Sequence, residues 1–258
     1  MTTFTTHTFP RTRIATLDVF GAGKRKHHVV ALLEIDVTLG LEKVREQGDL
    51  VSFTAWIIKV ISLTLKKHDL VAGYLLGKRQ VVIFEDINVS LIIEKELDGQ
   101  RIPVPLVIEQ ADTRSTAELT RQIREAKTRP FTAKDIVLQK RSGRLARLYY
   151  LLPGFVRRFF WRYLLAHPHL AFSKMGNVAV TSIGMMGSAN GWFIPASVHP
   201  VCFGISTVVK KPLVVDDQIV IRDVLNMTIL LDHDVLDGAP MARFVSDLSE
   251  KINNGVGL

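Results

Sequence analysis

His233 sits in the run Leu230-Leu231-Asp232-His233-Asp234-Val235-Leu236-Asp237-Gly238, with an acid on either side and a third four residues on. An imidazole in that position can take a proton near neutral pH, because its ordinary pKa is about 6.5. A partner needs only one proton to lose, as a thiol or a hydroxyl does. A plainer reading fits the same residues: a turn histidine between a strand and a helix, with Asp237 as N-cap and Gly238 supplying backbone freedom.

The elements around this run are set by its neighbours. Leu225–Leu231 is apolar and β-branched enough for a strand leading straight into His233. After Gly238 a helix begins, with Pro240 in its first turn. Met241, Phe244, Val245, Leu248 and Ile252 fall on one face of it. A second strand, Asn177–Ser182, ends in two hydroxyls, Thr181 and Ser182, before a glycine-rich loop at 184–191. Alternation lets only one of the two face a site.

Further strands are expected at 28–36, 80–84, 87–93, 101–108, 201–209 and 219–221, with turns at Asp98-Gly99 and Asp216-Asp217. Helices are expected at 52–68, capped by Ser52 or Thr54, and at 113–127, capped by Asp112 or Ser115. Residues 1–28 read as extended and irregular. Strands mixed with a few helices, without regular alternation, predict an α+β fold with a mixed or antiparallel sheet flanked by helices.

The run from Leu230 to Phe244 resembles the active-site signature of the acyltransferase subunits of 2-oxo acid dehydrogenase complexes, the dihydrolipoamide acyltransferases. Chloramphenicol acetyltransferase shares that fold and catalytic histidine. The resemblance extends to Val178–Gly187, the strand and loop bearing a catalytic hydroxyl. It also covers Ser52–Lys59, Asp86–Ser90 and Ile102–Pro105. It implies a chloramphenicol acetyltransferase-like fold over roughly residues 28–135 and 175–253.

The same resemblance implies chemistry. His233 would be the general base that takes the thiol proton of coenzyme A or a dihydrolipoyl group. Thr181 would hydrogen-bond the tetrahedral oxyanion, with Ser182 as the neighbouring alternative. Asp237, with Gly238 beside it, would hold the loop, paired with Arg11 or Arg13. Acyl-CoA would be the substrate. The active site would lie between subunits of a homotrimer or an assembly of trimers.

Three departures accompany the resemblance. The chain begins almost at the catalytic domain, so residues 1–258 are expected to be one acyltransferase domain with no lipoyl or subunit-binding domain and no covalently bound lipoyl group. A lipoyl-bearing partner protein would then supply that arm. Asp234 stands where the family usually has arginine. It could raise the basicity of His233 or rearrange loop contacts. Finally, residues 140–174 form a basic, aromatic insertion, read as two short amphipathic helices divided at Pro153-Gly154. It could be a packing hairpin, a lid over an acyl pocket, or an interfacial hairpin on an anionic membrane.

Composition narrows the remaining classes. The chain has 258 residues and a formal net charge of +8, which attracts phosphates, nucleic acid or anionic lipid. No standard nucleic-acid motif is present, so no nucleic-acid partner is expected. Cys202 is the single cysteine, which points to a reducing, cytoplasmic setting, with peripheral membrane contact as one reading of the insertion. It lies in an apolar run and reads as a buried, inert thiol. His27-His28 and His167-x-His169 lack further ligands, so no metal is expected. No apolar stretch reaches the roughly 18 residues of a membrane span. A catalytically inactive trimeric scaffold or a membrane-surface binding protein is the competing class.

Overall fold

The computed structural model describes residues 3–8, 13–97, 100–129, 148–182 and 190–258. Arg11, the Asp98-Gly99 turn and most of the glycine-rich loop lie outside them.

A six-stranded sheet organises the chain. In chain order its strands are β1 (His28–Asp36), β4 (Val89–Leu97), β5 (Gln100–Ile108), β6 (Val178–Ser182), β7 (Val201–Val215) and β8 (Gln218–Asp232); β2 (Tyr74–Leu76) and β3 (Gln80–Val82) form a separate pair. The spatial order is β1-β8-β7-β6-β4-β5. β6 runs parallel to both β4 and β7, and the other pairs are antiparallel. The sheet is therefore mixed, as the α+β expectation requires.

The core lies on one face of this sheet. α3 (Phe53–Lys67) buries Ala55, Trp56, Ile57, Ile58, Val60, Ile61 and Leu65. That breadth of burial marks a central helix, packed between α4 (Thr116–Thr128) and α7 (Gly238–Asn253). Ser52 caps α3 by accepting from the Ala55 amide at 3.3 Å. A capping box of Ser115 and Glu118 starts α4. The buried hydroxyls of Ser62 and Thr64 donate to the carbonyls four residues back at 2.8 Å, so neither is orphaned in the apolar interior. Trp56 Nε1 donates to Val256 O at 2.9 Å and ties the carboxyl end across the same core.

The parallel β4–β6 pair has its own polar clamp. Asn88 N donates to Asn177 Oδ1 at 2.9 Å, and Asn177 Nδ2 donates to Asp86 O at 3.2 Å. Asp112 Oδ1 accepts from Ile87 N at 3.2 Å. These side chains satisfy backbone groups where the strands begin, which gives the run 86–90 a structural reason.

Several expectations need correction. Residues 13–23 are helical (α1, Arg13–Gly23) rather than extended. Asp18 on that helix accepts from Tyr149 Oη at 2.6 Å and pairs with Arg157 at 2.7 Å. These partners, over 130 residues away, hold a helix of weak amphipathic pattern. A short helix, α2 (Thr38–Glu46), follows β1. β7 continues to Val215, and 219–221 with 225–231 are one strand. The turn at Asp216-Asp217 is real, both residues having positive φ, 50° and 60°. Beyond the sheet, the ends of β7 and β8 form a two-stranded arm on which Val214, Ile219 and Ile221 are exposed.

Within the insertion the break at Pro153 holds, since Pro153 precedes α5 (Gly154–Ala166). A second break at His167 separates α6 (Pro168–Met175). Trp161, Leu164, Ala171 and Met175 join Tyr74 and Val198 in a small second core. Among the described residues no helix is long and apolar enough to cross a membrane.

Candidate functional site

The end of β8 fixes the main chain of His233. Its amide donates to His27 O at 3.0 Å, and the amides of Val235 and Leu236 both donate to Asp232 O at 3.2 Å. Leu231 and Leu236 are buried on either side, so the turn is held at both ends by the core. The His233 side chain is exposed. Asp237 occupies the N-cap of α7 with β-region backbone, and its carboxylate makes no cap hydrogen bond. It too is exposed, as is Gly238. Arg13 opens α1 at the surface.

The flanking acids bind the segment before β1. Asp232 is buried and forms an ion pair and hydrogen bond with Lys26 Nζ. Asp234 Oδ1 lies 2.9 Å from His27 Nδ1. That hydrogen bond and the negative charge of Asp234 raise the pKa of His27. The carboxylate of Asp234 is thus engaged in loop contacts. In the sequence the pair His27-His28 reads only as a possible metal pair, and Lys26 beside it has no local tie to the His233 motif. The signal was present: Lys and His at the head of a strand expected to pair somewhere, and surplus acids beside His233.

A buried histidine lies beneath. His199 Nε2 donates to Met175 O at 3.0 Å, and His199 Nδ1 lies 3.1 Å from Ser197 Oγ. Burial pushes its pKa down to about 4. His28 Nε2 meets His199 O at 3.0 Å, and burial lowers its pKa as well. Both rings serve as neutral hydrogen-bonding spacers between α6, the 197–199 loop and β1.

Thr181 lies elsewhere on the sheet. Val178 and Val180 face the main core, so Ala179 and Thr181 face the opposite side and Ser182 continues the core side. Thr181 pairs in register with Gly204, and Gly204 with Thr228. Thr228 is five residues before His233 on β8. Strand geometry separates Thr181 from His233 within one chain by about 16 Å along the strand and roughly 10 Å across it. One chain therefore does not bring the two together.

The face bearing Thr181 is partly covered by the segment 190–198. Trp192 Nε1 donates to Leu33 O at 2.9 Å, and Phe193 N donates to Ser206 Oγ at 3.2 Å. Gly204 lets this segment lie close: a Cβ there would stand 2.9 Å from Phe193 O. Val30, Leu32 and Ile92 on the same face stay exposed. A surface hollow beside α4, lined by Asp49, Leu50, Ala117, Arg121 and Arg124, includes none of His233, Asp237, Thr181 and Ser182.

Cys202 is buried beside Ala179 and Leu230, and burial pushes its thiol up to about 12. That suits an inert thiol. Among the described residues, no group of three or more His, Cys, Asp or Glu side chains could hold a metal ion.

The chain belongs to the family of 2-oxoacid dehydrogenases acyltransferase (catalytic domain), which it matches over residues 24–135 and 171–257. It is 25% identical over 238 residues to the dihydrolipoyllysine-residue acetyltransferase component of the pyruvate dehydrogenase complex from Staphylococcus epidermidis, covering 88% of this chain and 46% of that protein. The Bacillus subtilis counterpart is 24% identical over 237 residues, with 88% and 45% covered. The chain thus spans about half the length of these relatives. In fold it resembles a probable dihydrolipoamide acetyltransferase from Listeria monocytogenes (TM-score 0.69, 21% identity, 98% and 95% covered). It also resembles the Azotobacter vinelandii dihydrolipoamide acetyltransferase (TM-score 0.68, 17% identity, 97% and 92% covered). The family match passes over residues 136–170, where the basic, aromatic insertion falls.

Proposed function

We propose that this protein transfers an acyl group between a thioester and a thiol, with His233 as general base and Thr181 as oxyanion donor. One observation carries the assignment of residues. The catalytic mechanism of the Azotobacter vinelandii enzyme has been examined at a serine, a histidine and an asparagine, the serine 52 positions before the histidine and the asparagine four after it. Thr181, His233 and Asp237 repeat both separations. Threonine offers the same hydroxyl as serine, and Asp237 offers a carboxylate where that enzyme has an amide.

The steps follow from these groups. His233 removes the proton of the acceptor thiol, and the thiolate attacks the thioester carbonyl carbon. The carbonyl oxygen becomes an oxyanion and accepts a hydrogen bond from the Thr181 hydroxyl. As the tetrahedral intermediate collapses, the carbon–sulfur bond to the donor breaks and the leaving thiolate takes the proton back from His233. Coenzyme A and a dihydrolipoyl group borne by a partner protein are thiols of the kind this exchange needs. The separation of Thr181 from His233 within one chain supports a site shared between copies, His233 from one and Thr181 from its neighbour, in a homotrimer or an assembly of trimers. The exposed Val30, Leu32 and Ile92 on the Thr181 face supply apolar surface for such contact.

The test is thioester exchange between a panel of acyl-CoAs and dihydrolipoamide, for the wild type and His233→Ala. The proposal expects exchange in the wild type that falls by orders of magnitude in the variant. Equal rates from both proteins would remove His233 from the chemistry. A folded assembly without exchange on any acyl-CoA would favour an inactive scaffold.

A further inference from the structure

We propose that the exposed face of α5, with residues 148–151 before it, docks this protein on an anionic lipid membrane. The charge bookkeeping is lopsided. Residues 136–175 contain eight Lys and Arg and no Asp or Glu, while the whole chain has 33 cations and 25 acids. The net charge of +8 is therefore carried by this one segment, and the remaining residues balance at 25 against 25. Its core largely coincides with the stretch that the family match passes over, so the shared catalytic fold does not account for it.

The structure sorts α5 into two faces. One is anchored: Trp161 and Leu164 are buried, Arg157 pairs with Asp18 at 2.7 Å, and Trp161 Nε1 donates to Tyr149 Oη at 3.0 Å. The other presents Phe155, Phe159 and Tyr163, spaced four residues apart and so in line along the helix, with Arg158 and Arg162 beside them. Phe155 and Phe159 are 66% and 68% exposed, and Leu151, at the end of the helical residues 148–151, is 66% exposed. Large apolar groups held out in water by a well-packed opposite face, with arginines among them, form the pattern of an interfacial helix lying in the headgroup plane.

The helix is too short to span a bilayer, at 13 residues or about 20 Å. Lying flat, it would sink its aromatics to the acyl boundary while the arginines meet lipid phosphates. Each cation near an anionic leaflet strengthens binding by about fivefold. Lipid is favoured over single-stranded nucleic acid because Leu148 and Leu151, in the residues just before α5, are exposed as well. A leucine gains from hydrocarbon but gives no ring for a base to stack on.

Cosedimentation of the full chain with vesicles tests this, using pure phosphatidylcholine and phosphatidylcholine with a third phosphatidylglycerol. The expected result is binding to the anionic vesicles at least tenfold tighter than to the neutral ones, weakened by salt. Phe155→Ser/Phe159→Ser should cut anionic binding at least tenfold, and Arg158→Gln/Arg162→Gln should do likewise. Both variants replace exposed side chains, so unchanged circular dichroism and assembly size are expected. Failure of the wild type to bind anionic vesicles would overturn the proposal. So would binding indifferent to Phe155 and Phe159, or displacement of bound vesicles by an equal charge of polyuridine. The readout needs no acyl transfer, so it stands or falls apart from the catalytic reading.

Discussion

Thr181 and His233 are two strands and about five residues out of line: the row Thr181–Gly204–Thr228 crosses the sheet well short of the β8 end where His233 turns. A general base and an oxyanion donor must both reach one carbonyl group, within hydrogen-bond distance of its attacking thiol and its oxygen. Under the proposed roles, residues this far apart would meet that demand across copies of the chain.

Mixed assemblies test the proposed shared site. Thr181→Ala should lower exchange by about 10²–10³-fold, the usual loss of one oxyanion donor. His233→Ala should lower it further. When the two inactive proteins are unfolded together and reassembled, chains carrying an intact His233 meet neighbours carrying an intact Thr181. In a closed ring of randomly mixed chains about a quarter of the interfaces regain both groups. Recovery of activity on that scale is expected, and a mixture no more active than its components would place both groups on one chain.

The Lys26–Asp232 pair should be a stability anchor beneath the His233 turn. Asp232 is 2% exposed at its side chain and Lys26 18%. Lys26→Met leaves a buried carboxylate without its cation, an expected loss of about 3 kcal/mol in urea unfolding at pH 7. Lys26→Met/Asp232→Leu should lose less than the two single changes added together. Strict additivity, or a loss within experimental error for Lys26→Met, would show that the pair carries no coupling.

Acid should destabilise the fold through His199. Its folded pKa is about 4 against an unfolded value of 6.5. Above pH 6.5 the ring is neutral in both states and contributes no pH dependence. As pH falls from 6.5 to 4 the unfolded chain takes up the proton first, so stability drops, by about 3 kcal/mol at most. The urea midpoint of the wild type should fall over that window. His199→Gln should be less stable at pH 7 yet lose less between pH 7 and 5; parallel curves for the two proteins would remove His199 as the cause.

Gly176 should resist substitution. It joins α6 to β6 with φ +71°, and a Cβ would lie 2.3 Å from the backbone oxygen of Asn88. That oxygen accepts from Asn177 N at 3.0 Å, so it cannot move aside without breaking the clamp of the parallel strands. Gly176→Ala should cost about 1–3 kcal/mol through overpacking, with left-handed strain added. A melting temperature equal to that of the wild type would show that the junction relaxes freely.

How much was legible from the sequence follows from the range of each interaction. Ser52 and Ser115 could be read as caps because a cap bonds within its own helix. The strand–turn–helix around His233 could be read because Leu225–Leu231, Gly238 and Pro240 act locally. The α+β class and the turn at Asp216-Asp217 came from the same short-range rules. The resemblance to the acyltransferases lay in ordered runs along the chain. α1 was missed because its fixing partners, Tyr149 and Arg157, arrive from the insertion through Asp18.

What tertiary structure alone decided concerns placement. Alternation required that Thr181 and Ser182 face opposite sides, but only packing of Val178 and Val180 against the helices fixed which side was which. The acids beside His233 were visible as residues, yet only the β1–β8 pairing brought Lys26 and His27 to them. The register of β6, β7 and β8 then set Thr181 apart from His233. Sequence encodes the period of each strand; the offset between strands is chosen by long-range packing and hydrogen bonding, and that offset is what keeps Thr181 and His233 apart within one chain.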